Sequence, residues 1–331
     1  MFQAKFKVPN YYKDFHCKGN ACRSCCCQGW MVTLTQDEYF MLMDEDCSKK
    51  LKDKIEAYVG ILPHPSKEAY ARINYDYTGQ CPLRLENGYC GLQVECGEDK
   101  IASVCRYYPR APHLYPYPEC SVSNSCEAVL ESLVKDDYSF SFEEKELSFL
   151  FSNDENNHYP SDFIEVSGKC FSIMKDGEGN VLSRLNRICF ELGMKYLSID
   201  NDLIEDVKRT YRKSISIQDY LSAIPSAIPS INDIYVRLLK KFSRLDQYLT
   251  NILLNHFLYV RFPYTSEKYT YSENAIALYY VVYLWLLLLF YNLKSDTIDE
   301  FVDITGNYFR VAEHSNLYDV ILFYFKKHQK K

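Results

Sequence analysis

Residues 17–30 read CKGNACRSCCCQGW and carry five cysteines. Seven more cysteines follow before residue 127, and only Cys170 and Cys189 lie beyond it. This step in composition predicts two regions. The first, residues 1–130, is an irregular, cysteine-rich, metal-binding region, and the second, residues 131–331, is a helical domain. The predicted fold is therefore mainly α, with the cysteine-rich region attached at its N-terminal end.

The spacing of the thiols favours a metal site over disulfides. Cys25, Cys26 and Cys27 are consecutive, and a disulfide between adjacent cysteines strains the intervening peptide. Thiolates are soft ligands that suit zinc and iron–sulfur centres. The spacing matches neither a standard zinc ribbon nor a ferredoxin run, so an iron–sulfur centre is preferred and zinc stays open. Redox-labile or merely buried thiols are the remaining alternative.

Composition and charge argue against several classes of function. The first ten residues contain no apolar stretch of the length of a secretion signal, so we expect a cytoplasmic protein with reduced thiols. A formal net charge of -6 gives no electrostatic basis for binding nucleic acid. Only 12 glycines are present, which argues against the glycine-rich nucleotide loops of doubly wound folds.

Apolar periodicity predicts helices along most of the chain. The best strand patterns are 29–35 and 72–77. Residues 275–291 form a continuous apolar run, which we interpret as a buried core helix rather than a membrane span because it contains four tyrosines. A membrane-associated redox sensor is the alternative that this run alone supports. The predicted helices are 37–59, 127–135, 142–152, 161–175, 181–197, 201–213, 216–223, 232–261, 272–292, 296–308 and 315–328.

Several stretches carry a resemblance to a known family. Residues 15–35 and 80–128 contain the stronger motifs, and the helix near 248–251 with 262–264 is a weaker echo. The sequence resembles the flagellin lysine-N-methylase family. The matching stretches are Cys17-Lys18-Gly19, Cys22, Cys26-Cys27-Gln28-Gly29-Trp30 with Val32, Cys81-Pro82-Leu83, Asn87 to Gln93, Cys105 to Arg110, and Glu119 to Ala128.

The resemblance implies a set of metal ligands. Four cysteines are extra to the family pattern, namely Cys25, Cys47, Cys96 and Cys120, and Glu127 stands where the family often has proline. Eight thiols exceed the need of one four-ligand centre, so either some are structural or two metals bind. The implied ligands are Cys17, Cys22, Cys26, Cys27, Cys81, Cys90, Cys105 and Cys126.

The resemblance also implies an activity, namely methyl transfer from S-adenosylmethionine to lysine side chains of flagellin. For the cofactor we expect Arg106 or Arg110 to pair with the methionine carboxylate, with Tyr108 beside them, although two arginines that cap loops are the alternative. Tyr107, Tyr108, Tyr115 and Tyr117 could hold cationic groups or pack the cysteine-rich region. No catalytic base is identified. The competing function is a non-catalytic iron–sulfur or zinc protein in metal handling or electron transfer.

Overall fold

A computed structural model describes residues 2–149, 159–194 and 201–328. The chain folds into two compact units. Unit 1 comprises residues 1–15 and 110–331, and unit 2 comprises residues 16–109. The sequence placed a boundary at residue 130, whereas the compact units divide after Phe15 and after Pro109. The difference arises because the first strand of the chain pairs with strands that follow residue 110.

Helices dominate the described residues, so the mainly α prediction is confirmed. The strands are β1 Phe2–Pro9, β2 Val32–Leu34, β3 Val59–Ile61, β4 Ala71–Ile73, β5 Arg110–His113, β6 Glu119–Val122 and β7 Phe142–Phe149. The helices are α1 Gln36–Asp44, α2 Lys49–Tyr58, α3 Gly91–Cys96, α4 Ser103–Tyr107, α5 Glu127–Leu133, α6 Phe163–Asp176, α7 Val181–Glu191, α8 Asn201–Thr210, α9 Gln218–Ser222, α10 Ile231–Lys241, α11 Leu245–Tyr259, α12 Tyr271–Asn292, α13 Ile298–His314 and α14 Leu317–His328.

Helix α12 is the centre of unit 1. Thr270 and Glu273 form a capping box that starts it, and it packs against α7, α10, α13 and α14. Among the described residues it is long and apolar enough to cross a membrane, and 83% of its apolar window is buried inside the protein. The Trp285 indole donates to Thr305 Oγ1 over 3.0 Å, which satisfies a polar group inside this core. The prediction of a buried core helix is confirmed.

The sheet of unit 1 corrects one predicted helix. Its strand order is β5-β6-β1-β7, and β7 pairs antiparallel with β1 along its whole length, from Phe2 opposite Phe149 to Pro9 opposite Phe142. The prediction of a helix over 142–152 is therefore wrong for residues 142–149. The Glu- and Lys-rich composition favours a helix, but pairing with β1 overrides local propensity. The mostly exposed charges of β7 suit the edge of a sheet.

Two long predicted helices are each divided in two. The pattern over 37–59 contains α1 and α2, because Ser48 caps α2 by accepting from the Leu51 amide. The pattern over 232–261 contains α10 and α11, because Phe242 is extended and buried beside Phe301. The other predicted helices from 127 onward are present with shifted ends. The parts of the predicted helices at 150–152 and 195–197 lie outside the described residues.

Unit 2 is a small sheet with short helices. Strand β4 lies between β2 and β3, and both pairings are antiparallel. The side chains of Leu34, Leu51, Ile55 and Leu92 belong to one buried apolar cluster. Cys47, Cys81, Cys90 and Cys96 pack against that cluster from outside. The thiols of this unit therefore form the rim of a small core, and that core holds them in place.

Candidate metal centre

Backbone pairing brings the first two cysteine groups together in unit 2. The Cys81 amide donates to the Cys27 carbonyl over 2.7 Å, and the Gly29 amide donates to the Gly79 carbonyl over 3.0 Å. A β-bridge joins Gln28 to Gln80 between them. Gly29 has a φ of 91°, in the left-handed region that glycine adopts without a Cβ clash. The turn at residues 28–30 follows the triplet of consecutive cysteines, residues 25–27. Its backbone hydrogen bonds therefore hold the triplet against Cys81.

The triplet itself is a group of interacting thiols. The Cys27 amide donates to Cys25 Sγ over 3.3 Å. Hydrogen bonds from the thiols of Cys26 and Cys27 lower the pKa of Cys25, and the positive charge of Arg84 acts in the same direction. The same hydrogen bonding to Cys25 raises the pKa of Cys26 to about 12. Hydrogen bonding within the triplet therefore favours the thiolate form of Cys25 over that of Cys26.

Four further thiols extend the triplet: Cys17, Cys81 and Cys105 interact with it, and Cys90 interacts with Cys81 and Cys105. Burial raises the pKa of Cys81, and the thiols of Cys90 and Cys25 add to that effect. The protein around the Cys105 thiol raises its pKa, and Cys81, Cys90 and Cys26 contribute. Cys17 in turn acts on Cys26. The group that we call the thiol cluster consists of Cys17, Cys25, Cys26, Cys27, Cys81, Cys90 and Cys105.

The thiol cluster and the ligand set that the family resemblance implies do not contain the same cysteines. Cys25, which the family pattern sets aside, lies inside the thiol cluster. Cys22 is half-buried in unit 2. Cys126 lies in unit 1, at the N-cap of α5. Cys47 and Cys96 interact with each other and with Glu45 and Glu95. Cys120 is buried in β6, beside the Tyr12 hydroxyl at 3.9 Å.

The donor chemistry of the thiol cluster fits a soft metal centre. Within residues 2–149, 159–194 and 201–328, no three Cys, His, Asp or Glu side chains stand in a ready-made ligand arrangement. The thiols instead hydrogen-bond one another, as protonated thiols do. Metal binding requires them to lose those protons, so ligation and proton release are coupled.

The structure gives the two arginines expected at the cofactor separate surroundings. Arg106 donates from one terminal nitrogen to the carbonyls of Asp99 and Ile101, at 2.5 and 3.2 Å. Its Nε is buried and has no hydrogen-bond partner among the described residues. The Arg110 guanidinium lies 5.2 Å from the centroid of the Phe15 ring, in unit 1. Arg106 thus caps a loop and retains one unused donor.

The four tyrosines after the second cysteine group are distributed over both units. Tyr107 and Tyr108 lie in unit 2, where the Tyr108 ring packs against Trp30 with centroids 5.3 Å apart. Tyr115 and Tyr117 lie in unit 1. Tyr115 is exposed, and Lys7 Nζ lies 5.5 Å from the centroid of the Tyr117 ring. Within the described residues the four rings are therefore part of two separate environments.

Glu38 joins helix α1 to the segment that carries Cys105. Its carboxylate accepts from the Thr35 amide at 2.8 Å and from the Ser103 amide, at the start of α4, at 2.6 Å. Partial burial opposes ionisation of Glu38, but these hydrogen bonds outweigh it and lower its pKa. A carboxyl group with a lowered folded-state pKa stabilises the fold above its unfolded pKa of about 4.3. That contribution is lost as the pH falls through the folded value.

We therefore expect Glu38→Gln to destabilise unit 2 at neutral pH and to lose this effect in acid. The difference in the free energy of unfolding between the two proteins should shrink as the pH falls from about 7 towards about 3. Denaturant titrations at a series of pH values measure it. Glu56→Gln, on the exposed face of α2, is the control that should show no such trend. A pH-independent difference for Glu38→Gln would contradict the assignment.

Comparison with known proteins adds a relationship. Over 142 residues, 41% of this chain, the sequence is 29% identical to the proteins named lysine-N-methylase of Salmonella typhimurium and Salmonella choleraesuis. The chain is therefore similar in sequence to proteins named lysine-N-methylase. The match spans about a third of their length, 34%. A protein of Salmonella muenchen named flagellar biosynthetic protein FliU is 28% identical over 142 residues, 81% of its length.

The relationship confirms the resemblance that the cysteine motifs carry. No family model matches the chain, and no solved structure matches it. The lysine-N-methylase relationship therefore rests on sequence, and the structure adds the geometry of the thiol cluster.

Proposed function

We propose that this protein is a protein-lysine N-methyltransferase that uses S-adenosylmethionine and acts on flagellin. The observation that carries the proposal is the match of 142 residues to relatives named lysine-N-methylase. The name of the third relative, a flagellar biosynthetic protein, supports flagellin as the substrate. The proposed site of action is cytoplasmic.

The thiol cluster is the proposed metal site. Its soft sulfur donors suit an iron–sulfur centre, with zinc as the alternative. The proposed ligands come from the seven cysteines of the thiol cluster, which are Cys25 and six cysteines of the family pattern. A bound metal ion would supply Lewis acidity, to which the amino nitrogen and a carboxylate oxygen of a methionine moiety could donate lone pairs. Holding the donor in place is the contribution that methyl transfer requires most.

Arg106 is the proposed partner of the donor carboxylate. It directly follows Cys105 in α4, and its buried Nε is without a hydrogen-bond partner among the described residues. A carboxylate beside it would satisfy that donor, and charge-assisted hydrogen bonds of this kind are among the stronger ones. Tyr108, packed on Trp30, offers an aromatic face to the sulfonium. Arg110, which the same sequence motif also implied, lies in unit 1 beside Phe15 and is not included in the proposed site.

Methyl transfer requires that the lysine amine is neutral and that it is oriented towards the methyl group of the donor. The lysine nitrogen uses its lone pair to form the new N–CH3 bond as the S–CH3 bond breaks, and the electron pair of that bond stays on sulfur. The amine must first lose a proton. Transfer of the ammonium group into a poorly hydrated site lowers its pKa and so promotes that loss.

Titration of the metal-loaded protein with S-adenosylmethionine tests this proposal. Calorimetry should show saturable binding, and Cys105→Ala should weaken it and lower the metal content. Cys189→Ala, in the core of unit 1, should leave both unchanged. If metal-loaded protein binds no S-adenosylmethionine, the proposal fails in favour of a non-catalytic iron–sulfur or zinc protein. If Cys105→Ala keeps full affinity and metal content, the proposed site is wrong.

A further inference from the structure

A cavity of about 480 Å³ in unit 1 is lined by tyrosines. It lies between the segment that follows α11 and the connection from α13 to α14. These residues are distant in the sequence, and Tyr264 is the lining residue that lies in a stretch of weak family resemblance, residues 262–264. The aromatic lining residues are Tyr159, Tyr259, Tyr264, Tyr269 and Tyr318.

The charged groups of this tyrosine-lined cavity are mostly carboxylates, from Glu267, Glu313 and Asp319. Asp319 accepts from the Tyr269 hydroxyl over 2.5 Å, which fixes a carboxylate beside an aromatic ring. Glu313 is held more firmly. Its side chain is fully buried and accepts from His256 Nδ1 at 2.9 Å and from Ser123 Oγ at 2.6 Å. The negative charges thus belong to fixed positions on the wall.

The positive charge in the lining is already neutralised. Arg261 donates to Glu119 Oε1 over 2.8 Å, and both side chains are buried. Its guanidinium lies 5.1 Å from the centroid of the Tyr159 ring. Arg261 also has a φ of 60°, an uncommon value for a residue with a side chain, and one that the surrounding contacts must hold. The Arg261–Glu119 pair therefore forms part of the wall, and of the three lining carboxylates Glu267 and Asp319 form no ion pair with the described residues.

Two lining side chains each have a buried nitrogen without a hydrogen-bond partner among the described residues, namely His113 at Nε2 and Arg261 at Nε. Burial lowers the pKa of His113 to about 3, and the neighbouring Arg261 acts in the same direction. The imidazole is therefore neutral at physiological pH and does not repel a cation. Buried polar groups without a partner are uncommon in native proteins and indicate a missing ligand or water.

We propose that the tyrosine-lined cavity binds an organic cation on an alkyl chain. Aromatic faces and carboxylates together form the environment that recognises ammonium and sulfonium groups. Two sources share this chemistry, namely the lysine side chain of a protein substrate and the sulfonium of S-adenosylmethionine. The naming of these two sources rests on the proposed methyltransferase function. The recognition of a cation rests on the cavity alone.

Calorimetric titration of the full chain tests cation recognition directly. The probes are a short Gly/Ala peptide with one lysine, the same peptide with norleucine in its place, S-adenosylmethionine, and uncharged S-adenosylhomocysteine. In at least one of the two pairs, we expect the cationic probe to bind at least about tenfold more tightly than its neutral partner. The lysine pair identifies a substrate site, and the sulfonium pair identifies a donor site.

Substitutions in the lining connect that preference to this cavity. Asp319→Asn should weaken the cationic probe about three- to tenfold while leaving the neutral one unchanged. Tyr264→Leu should do the same, whereas Tyr264→Phe, which keeps the ring, should retain binding. Tyr75→Leu, at an exposed tyrosine of unit 2, is the matched control.

Equal binding of charged and neutral probes in both pairs would overturn the proposal, as would affinities unchanged by Asp319→Asn and Tyr264→Leu. The proposed methyltransferase function can fail separately. A protein that binds the lysine peptide here but transfers no methyl group would retain the cavity assignment and lose the proposed reaction.

Discussion

Replacing Cys81 by alanine is expected to remove most of the bound metal. Cys81 belongs to the thiol cluster, interacts with Cys90 and Cys25, and packs against the apolar core of unit 2. Loss of one thiolate from a four-ligand site leaves an open coordination position, and metal binding in such sites is also folding free energy. For structural zinc sites that free energy is about 10–16 kcal/mol. We therefore expect a large loss of unit 2 stability together with the metal.

Anaerobic purification, followed by an absorption spectrum and analysis of iron, sulfide and zinc, measures this loss. Cys96→Ala is the matched control, because Cys96 packs on the same core but interacts with Cys47 rather than with the thiol cluster. It should keep its metal. Cys25→Ala separates two ligand sets. Loss of metal in Cys25→Ala would show that Cys25 is a ligand. Retention of metal would show that the ligands are cysteines of the family pattern alone. Full metal content in Cys81→Ala would contradict the proposed centre.

Replacing Glu313 by alanine is expected to destabilise unit 1 by more than about 2 kcal/mol, because each buried donor left without its acceptor costs about 1–3 kcal/mol. Glu313 and His256 are both fully buried and lie 2.9 Å apart. The Glu313 carboxylate also accepts from the Asn124 amide at 2.9 Å and from the Asn124 side chain at 3.1 Å. Alanine leaves every one of these donors without its acceptor. Chemical denaturation followed by far-ultraviolet circular dichroism measures the change.

Two variants calibrate the Glu313 result. Glu313→Gln keeps one acceptor oxygen and should cost less than Glu313→Ala. Glu267→Ala removes an exposed carboxylate from the same cavity and should change the free energy of unfolding by no more than about 0.5 kcal/mol. If Glu313→Ala proves as mild as Glu267→Ala, the buried network does not stabilise the fold as its geometry requires.

Helices with a capping residue at their start and a clear apolar pattern were predicted from local sequence. Helix α12 has a capping box at Thr270 and a continuous apolar run, and it lies in the core as expected. The same reasoning failed for β7, because its charged residues favour a helix and its partner β1 is more than 130 residues away. Pairing over such a distance leaves no local pattern in the sequence.

The site shows the same division between local and distant information. The consecutive cysteines 25–27 predicted a cluster of thiols, and the structure places Cys81, Cys90 and Cys105 in the same cluster. Cys25 was set aside on the family pattern, although its place in the triplet gives it two thiol neighbours and a backbone donor. For the tyrosine-lined cavity the sequence offered only the weak resemblance at residues 262–264. The rings of the cavity come from Tyr159, the end of α11, the segment after it, and α14.

Methyl transfer to flagellin tests the central claim most directly. Metal-loaded protein is incubated with flagellin and S-adenosylmethionine, and the flagellin is then digested and analysed by mass spectrometry. The account predicts that lysine residues gain the mass of one or more methylene units, only when the donor is present, and that Cys81→Ala abolishes the gain while Cys96→Ala keeps it. Unmodified flagellin after incubation with protein of full metal content would contradict the account.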